Sequence, residues 1–170
     1  QNQAIIGLRH RYRPLPHATL NSSLERVWSL RGAGRGNFYA YSLAGEYLPP
    51  RRIKASARFE QRKGGTLDKT VASGAMDFTL LHGGALLAKH TFTDESRMDA
   101  GKRKALRSHR FAVGLAWRGQ RSDTFNALGK YEYKHSDNSM VEPSARRGTH
   151  IGSGEFILEP RAQLEWFARY

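Results

Sequence analysis

The chain contains no cysteine, which excludes a disulfide framework and any metal site built on thiolates. It also has no run of about 20 apolar residues, the length that a transmembrane helix requires. Its first residues lack the basic start and the apolar stretch of a signal peptide. We therefore expect a cytosolic chain, an already processed chain or a piece of a longer protein.

Apolar and acidic residues are both scarce. The apolar share is 39% of 170 residues, and 15 Asp and Glu face 28 Lys and Arg, for a formal net charge of +13. Such an excess is typical of proteins that meet nucleic acid or another anionic surface. Abundant glycine and the lack of a convincing helical pattern favour an all-β chain, and the length predicts one domain, residues 1–170.

Strict alternation is the main pattern that the chain does have, and residues 109–134 show it most clearly. His109–Arg118 and Phe125–Lys134 each repeat with a period of two, which predicts β-strands. The short polar connection between them predicts an antiparallel hairpin. One side of this hairpin is apolar with aromatic residues at its ends, and the other side is mostly charged or small.

The same alternation predicts about ten strands along the chain. The predicted strands are Ala4–Tyr12, His17–Leu30, Asn37–Leu48, Arg51–Gln61, Thr70–Leu81, Ala85–Thr93, His109–Arg118, Phe125–Lys134, Thr149–Leu158 and Ala162–Tyr170. Arg26 interrupts the apolar side of the second strand, which predicts a bulge there. A basic run at residues 102–107 is long enough for no more than a helical turn.

The predicted connections alternate in length. Short turns are expected at residues 13–16, 49–50, 82–84, 119–123 and 159–161, and longer polar loops at 31–36, 62–69, 94–108 and 135–148. In an up-and-down meander every second connection lies at the same end, so one end is trimmed and the other carries the loops. Outer-membrane barrels have this arrangement, with short periplasmic turns, and strands of about 9–11 residues suit a bilayer crossing.

Taking the short turns as periplasmic, the first strand runs inward from outside and the last runs outward. A complete outer-membrane barrel normally starts and ends in the periplasm. The pattern therefore predicts a transmembrane barrel segment that lacks at least one strand at each end, unless a terminal strand is miscounted. Location in the bacterial outer membrane follows from the same interpretation.

Most charged residues of the predicted strands lie on one side of each strand. In a membrane barrel this side is expected to face the lumen, because a Lys or Arg facing the lipid midplane costs about 2–4 kcal/mol. The predicted lumen-facing residues are Arg9, Arg11, Arg52, Lys54, Arg58, Glu60, Asp77, Lys89, Arg110, Arg118, Lys130, Glu132, Lys134, Glu155, Glu165 and Arg169. The predicted lipid-facing residues are Tyr39, Tyr41, Leu43, Tyr47, Ile53, Phe59, Phe78, Phe92, Phe111, Val113, Leu115, Trp117, Tyr131, Tyr133, Trp166 and Tyr170.

Three stretches carry a resemblance to a known family. They are Phe-Ala-Val-Gly-Leu-Ala-Trp-Arg at 111–118, Asp-Thr-Phe-Asn-Ala-Leu-Gly-Lys-Tyr-Glu-Tyr at 123–133 and Thr-His-Ile at 149–151. Together with Gln-Leu-Glu-Trp-Phe-Ala-Arg-Tyr at 163–170, this region resembles the C-terminal β-barrel region of large outer-membrane proteins of Gram-negative bacteria. The resemblance implies a fold and a location, and it implies no activity.

The sequence predicts a pore, a transporter or a membrane anchor with a net basic lumen and basic external loops. Expected partners are outer-membrane lipid, lipopolysaccharide phosphates, and further chain or subunits that complete the barrel, with no nucleic acid. No cofactor and no catalytic residue are predicted. No metal site is expected either, because the seven histidines lack metal-ligand spacing. Arg31–Gly36 lacks the lysine and the following helix of a phosphate-binding loop.

Two alternatives remain open from the residues alone. One is a soluble basic β-barrel or β-sandwich that binds nucleic acid or another polyanion through Tyr, Phe and Arg. The other is an outer-membrane barrel enzyme, for which Asp77, Glu132 and Glu155 are candidate acids. Pairing of these acids with lumen Arg and Lys is the simpler interpretation, since shielded charges require partners.

Overall fold

The computed structural model describes residues 3–30, 37–50, 52–64, 67–80, 83–99, 102–118, 125–141, 143–161 and 164–169, apart from the side chains of residues 99, 159–161 and 164–167. The described residues form ten strands. These are β1 Gln3–Leu15, β2 Ala18–Ser29, β3 Phe38–Tyr47, β4 Ile53–Lys63, β5 Asp68–Thr79, β6 Gly84–Asp99, β7 Lys102–Arg118, β8 Phe125–Asn138, β9 Ala145–Arg161 and β10 Leu164–Arg169.

All ten strands belong to one sheet in which each strand pairs with its sequence neighbours, in the order β1 to β10. Every pairing is antiparallel. The predictions of an all-β chain, of ten strands and of up-and-down topology are therefore confirmed. The sheet is not closed: within the described residues, β1 and β10 form its two edges.

Several predicted connections are wrong, because the strands extend through them. Residues 94–108 were expected to be a long loop with one possible helical turn, but β6 runs to Asp99 and β7 starts at Lys102. Likewise, β8 runs to Asn138 and β9 starts at Ala145, so most of 135–148 is strand. The turns expected at 13–16 and 159–161 lie largely within β1 and β9. Backbone pairing continues there without an apolar side, so the hydrophobic alternation that predicts a strand is missing.

The bulge predicted at Arg26 is also wrong. Arg26 pairs in unbroken register with Ile6 on β1 and with Tyr39 on β3. Its guanidinium lies 3.5 Å from the ring centroid of Tyr39 and 5.5 Å from that of Trp28. These cation–π contacts hold the arginine on the apolar side of the sheet without a break in strand pairing.

The sheet has almost no hydrophobic core. Among the described residues, Val27, at 3% exposure, and Pro49 are the buried apolar side chains. A folded soluble monomer of this mass exposes about 8,400 Å², whereas the 19.2 kDa chain exposes 12887 Å². The apolar surface of the chain is therefore left uncovered.

Gly64, just after β4, has a φ of +107°, and a Cβ placed on it would lie 2.8 Å from the carbonyl oxygen of Asn37. Its backbone N–H donates to the carboxylate of Asp68. We expect Gly64→Ala to destabilise the fold by about 1–3 kcal/mol, because alanine disfavours this conformation and clashes with the backbone. Urea unfolding in detergent, with Gly129→Ala as the control because that Cβ meets nothing within 4 Å, measures the difference. Equal stability of both variants would contradict the strain.

Candidate functional site

The pairing register keeps alternate residues of every strand on one side of the sheet. On β7 and β8, for example, Phe111 lies opposite Tyr133 and Arg110 lies opposite Lys134. The same parity holds from β1 to β10, which defines two faces. The aromatic face carries residues such as Phe111, and the polar face carries residues such as Arg110. The predicted lipid-facing and lumen-facing sets lie on the aromatic and the polar face, respectively, wherever strand register describes them.

Aromatic residues lie in two bands on the aromatic face, with smaller side chains between them. The middle contains Gly45, Ala57, Gly74 and Ala88, which line a shallow apolar depression of about 620 Å³. One band lies near the strand ends on the side of the β1–β2 turn and contains Tyr12, Tyr47, Phe78, Trp117 and Phe125. The band toward the opposite end contains Tyr39, Tyr41, Phe59, Phe92, Phe111, Tyr131 and Tyr133. Many of these large side chains are 41–55% exposed, so no other part of the described chain covers them.

Histidines are part of the second aromatic band. The His150 ring lies 4.7 Å from the Tyr133 ring, and its Nδ1 is 2.7 Å from the hydroxyl oxygen of Tyr131. The His109 ring lies 4.9 Å from the Phe92 ring and 5.7 Å from the His90 ring. Amphipathic rings of this kind suit a boundary where an apolar surface meets water.

A row of alternating charges directly follows this band on four strands. The register aligns Asp94, Arg107, Asp137 and Arg146 across β6, β7, β8 and β9. Arg107 Nε is 3.5 Å from Asp94 Oδ1, and an Arg146 terminal nitrogen is 3.3 Å from Asp137 Oδ2. We call these four residues the charged row. On β6 and β7, the next residues on the aromatic face after Phe92 and His109 are the charged Asp94 and Arg107. The aromatic face thus changes from aromatic to ionic between neighbouring same-face positions.

Sequence reasoning missed the charged row because Asp94, Arg107, Asp137 and Arg146 fell in expected loops. A signal was nevertheless present. The four residues continue the odd–even parity of the aromatic-face positions that precede or follow them, as Arg107 does before His109 and Phe111. Parity carried through a polar run therefore would have placed them on the aromatic face.

Short ion pairs occur along the polar face. Arg9 pairs with Glu25 at 3.3 Å and Arg58 with Glu60 at 2.9 Å. Arg169 donates two hydrogen bonds to Glu155 Oε2, at 2.9 and 3.2 Å. The acids Glu60 and Glu155 are therefore paired, and for Glu155 an arginine partner is what the sequence suggested.

Glu132 is at the centre of the most shielded of these clusters, with 6% of its side chain exposed. Arg110 binds both carboxylate oxygens, with Nε 2.7 Å from Oε1 and a terminal nitrogen 2.8 Å from Oε2. Lys130 Nζ lies 3.3 Å from Oε2. Lys134 lies directly opposite Arg110 on the neighbouring strand. We call Lys89, Arg110, Lys130 and Lys134, together with Glu132, the basic patch.

Some predicted site residues cannot be placed with the others. Tyr170 lies outside the described residues, and the side chains of Glu165 and Trp166 are not described, although Trp166 pairs with Leu158 in the register. Arg52 lies in a bend before β4, outside the strand register. Asp77, by contrast, is placed by the register, opposite Lys54 on the polar face. No group of three metal-ligating side chains occurs among the described residues. Within the same residues, no helix is long and apolar enough to cross a membrane.

The chain matches no protein-family model and no curated protein sequence. The resemblance to the barrel region of large outer-membrane proteins therefore stays a prediction. The candidate function rests on the geometry of the two faces.

Proposed function

We propose that this chain is a transmembrane sheet of an outer-membrane β-barrel, with the aromatic face toward lipid and the polar face toward the lumen. The observation that carries the proposal is the uncovered aromatic face with its sharp boundary at the charged row. Soluble monomers rarely leave a contiguous apolar patch larger than a few hundred Å². Outer-membrane barrels present such a band, flanked by aromatic residues at both interfaces.

The dimensions of the aromatic face fit a bilayer. Trp117 and His109 are eight positions apart on β7, which corresponds to about 26 Å along a strand. A strand tilt of about 40° reduces this distance to about 20 Å along the membrane normal, close to the apolar band of about 25 Å in known barrels. The charged row then lies in the headgroup region on one side.

A single-stranded nucleic acid fits this face less well. Proteins that bind nucleic acid strands intersperse cations among the stacking aromatics, so that each phosphate meets a charge. On the aromatic face, the described strand residues between the two bands include no Lys or Arg. Arg26 and Lys63 lie level with Tyr39 in the second band, and the Tyr39 ring already contacts the guanidinium of Arg26. Most other cations lie on the polar face or at the charged row and beyond it. This separation supports lipid as the partner of the aromatic face.

Closure of the barrel requires strands that pair with β1 and β10. On β1, Ile5 is 63% exposed, Ile6 68% and Leu8 72%, so both sides of this edge strand carry uncovered apolar residues. Further chain or further subunits supply the missing strands in our proposal. The completed barrel serves as a pore, a transporter or a membrane anchor.

The ends of β6 and β7 extend beyond the charged row. Arg97, Lys102 and Arg103 lie there and are exposed, and Arg103 donates a hydrogen bond to Ser96. Cations just outside an apolar band attract the phosphates of anionic lipids. Lipopolysaccharide phosphates are therefore the proposed partner of this hairpin.

Fluorescence quenching by brominated lipid tests the orientation of the sheet. A variant with Trp28→Phe and Trp166→Phe keeps Trp117, which is 41% exposed on the aromatic face. In vesicles with brominated acyl chains we expect most of the Trp117 emission to be lost, because the ring contacts the quencher directly.

The matched control moves the tryptophan to the other face. Leu128→Trp, made with all three native tryptophans changed to phenylalanine, places the reporter at a residue that is 53% exposed on the polar face. Its emission should change little on bromination. Similar quenching of both reporters, or a monodisperse monomer without detergent, would contradict the proposal.

A further inference from the structure

Ala112 is at the centre of a shallow, positively charged area on the polar face. The register places Lys89 on one side of Ala112 and Glu132 on the other. Arg110 and Gly114 precede and follow it on the same face of β7. The methyl group of Ala112 and the bare backbone of Gly114 leave room above them, so a small ligand can approach between the longer side chains.

Four cations and one carboxylate surround this floor, a net charge of +3 for the basic patch. Glu132 is covered by Arg110 and Lys130, which both bind it. The carboxylate of Glu132 therefore holds two cations in place, and its side chain is only 6% exposed. Arg110 and Lys130 are 57% and 51% exposed, which leaves parts of both side chains open to a ligand.

The other two cations of the patch, Lys89 and Lys134, form no ion pair with any residue that the structure describes. Both are exposed. Lys134 lies directly opposite Arg110, and like charges directly opposite each other on a sheet are unfavourable. An anion bound between them relieves this repulsion.

Hydroxyl groups complete the surroundings. Thr91 lies opposite Arg110 on one side, and Thr149 lies opposite Lys134 on the other, in one row across the sheet. Hydroxyls donate hydrogen bonds to an oxyanion, while guanidinium and ammonium groups supply charge-assisted ones. Cations, small floor residues and hydroxyls together suit a compact anion with several oxygens.

We propose that the basic patch binds the phosphate group of a small phosphorylated solute above Ala112, through Lys89, Arg110 and Lys134. Glu132 is a positioning residue that orients Arg110 and Lys130. The inference deepens the proposed function and rests on it, because the patch meets such a solute in the barrel lumen. Phosphate fits better than a monocarboxylate, because its charge of about −2 matches the several cations.

Calorimetric titration with pyrophosphate tests the site, using the protein that contains this chain, folded in detergent at low salt. The double variant Lys89→Gln, Lys134→Gln is expected to bind about tenfold more weakly, because each lysine contributes a charge-assisted hydrogen bond. The control double variant Arg11→Gln, Lys54→Gln removes two charges from the same face on β1 and β4, and less than about a twofold change is expected.

A second measurement needs no variant. Pyrophosphate should slow acylation of Lys89 and Lys134 in the native protein and leave the acylation of Lys54 unchanged, as mass spectrometry of the peptides reports. Equal weakening by both double variants, equal protection of all three lysines or no pyrophosphate binding would overturn the site. These outcomes differ from failure of the proposed function, which the lipid-quenching experiment reports separately.

Discussion

Replacing Leu115 with arginine is expected to lower the free energy of unfolding of the protein in lipid vesicles by about 1–3 kcal/mol, because a cation on a barrel exterior costs about 2–4 kcal/mol at the bilayer midplane and less toward the interfaces. Leu115 lies on the aromatic face of β7, between Trp117 and the midpoint of the apolar span at Val113, and is 51% exposed. The charge of an arginine there is too far along the strand to reach Arg107 in the charged row. Urea titration of the vesicle-folded protein measures the loss.

Leu128→Arg is the matched control for this substitution. Leu128 is also a leucine, is 53% exposed, and lies on β8 opposite Ala116, the residue after Leu115. The two positions therefore differ mainly in the face that they occupy. Leu128→Arg should change stability by less than about 1 kcal/mol, because the polar face meets water in our proposal. Equal effects at both positions would contradict the assignment of lipid to the aromatic face and water to the polar face.

Alternation within the apolar band was enough to predict the strands that cross it. In β4, the sequence places Ile53, Ala55, Ala57 and Phe59 on one side, and the register keeps them on one face against β3 and β5. The reason is physical: a period of two follows from strand geometry, and any strand with one apolar side shows it. Fold class, strand number and topology could therefore be predicted from the sequence.

Strand length could not be predicted in the same way. Beyond Phe92 and His109, both sides of β6 and β7 are mostly polar, so hydrophobic alternation no longer indicates the strand. Backbone pairing nevertheless continues to Asp99 and Lys102, with side-chain pairs such as Arg107–Asp94 across it. The charged row belongs to this part of the sheet, which is why it was expected to be loop.

Pairwise contacts of charged residues were also beyond the sequence. Arg26 suggested a bulge, because a cation on an apolar face needs a partner, and the ring of Tyr39 supplies that partner across the strand pair. Glu132 was predicted among the polar-face residues, but its near-complete shielding depends on Arg110 from another strand. Such contacts require the register, which hydrophobic alternation does not specify to a single position.

Replacing Glu132 with glutamine is expected to have the second large effect, about a tenfold fall in the ratio of folded to unfolded protein. Glutamine keeps the size of the side chain but removes the charge that Arg110 and Lys130 share. Three cations, including Lys134 opposite Arg110, would then repel one another without a carboxylate. Urea titration in vesicles measures the change, and added potassium chloride should restore part of the stability by screening.

Glu60→Gln is the control for this charge removal. Glu60 also pairs with one arginine on the polar face, but its side chain is 32% exposed, so solvent weakens the pair. We expect less than about a twofold change in the same ratio.

In the Glu132→Gln background, Arg110→Gln should cost less stability than it does alone, since the partner of Arg110 is already gone. Additive effects of Glu132→Gln and Arg110→Gln would contradict the role of Glu132, because a carboxylate that orients Arg110 and Lys130 must be coupled to them energetically.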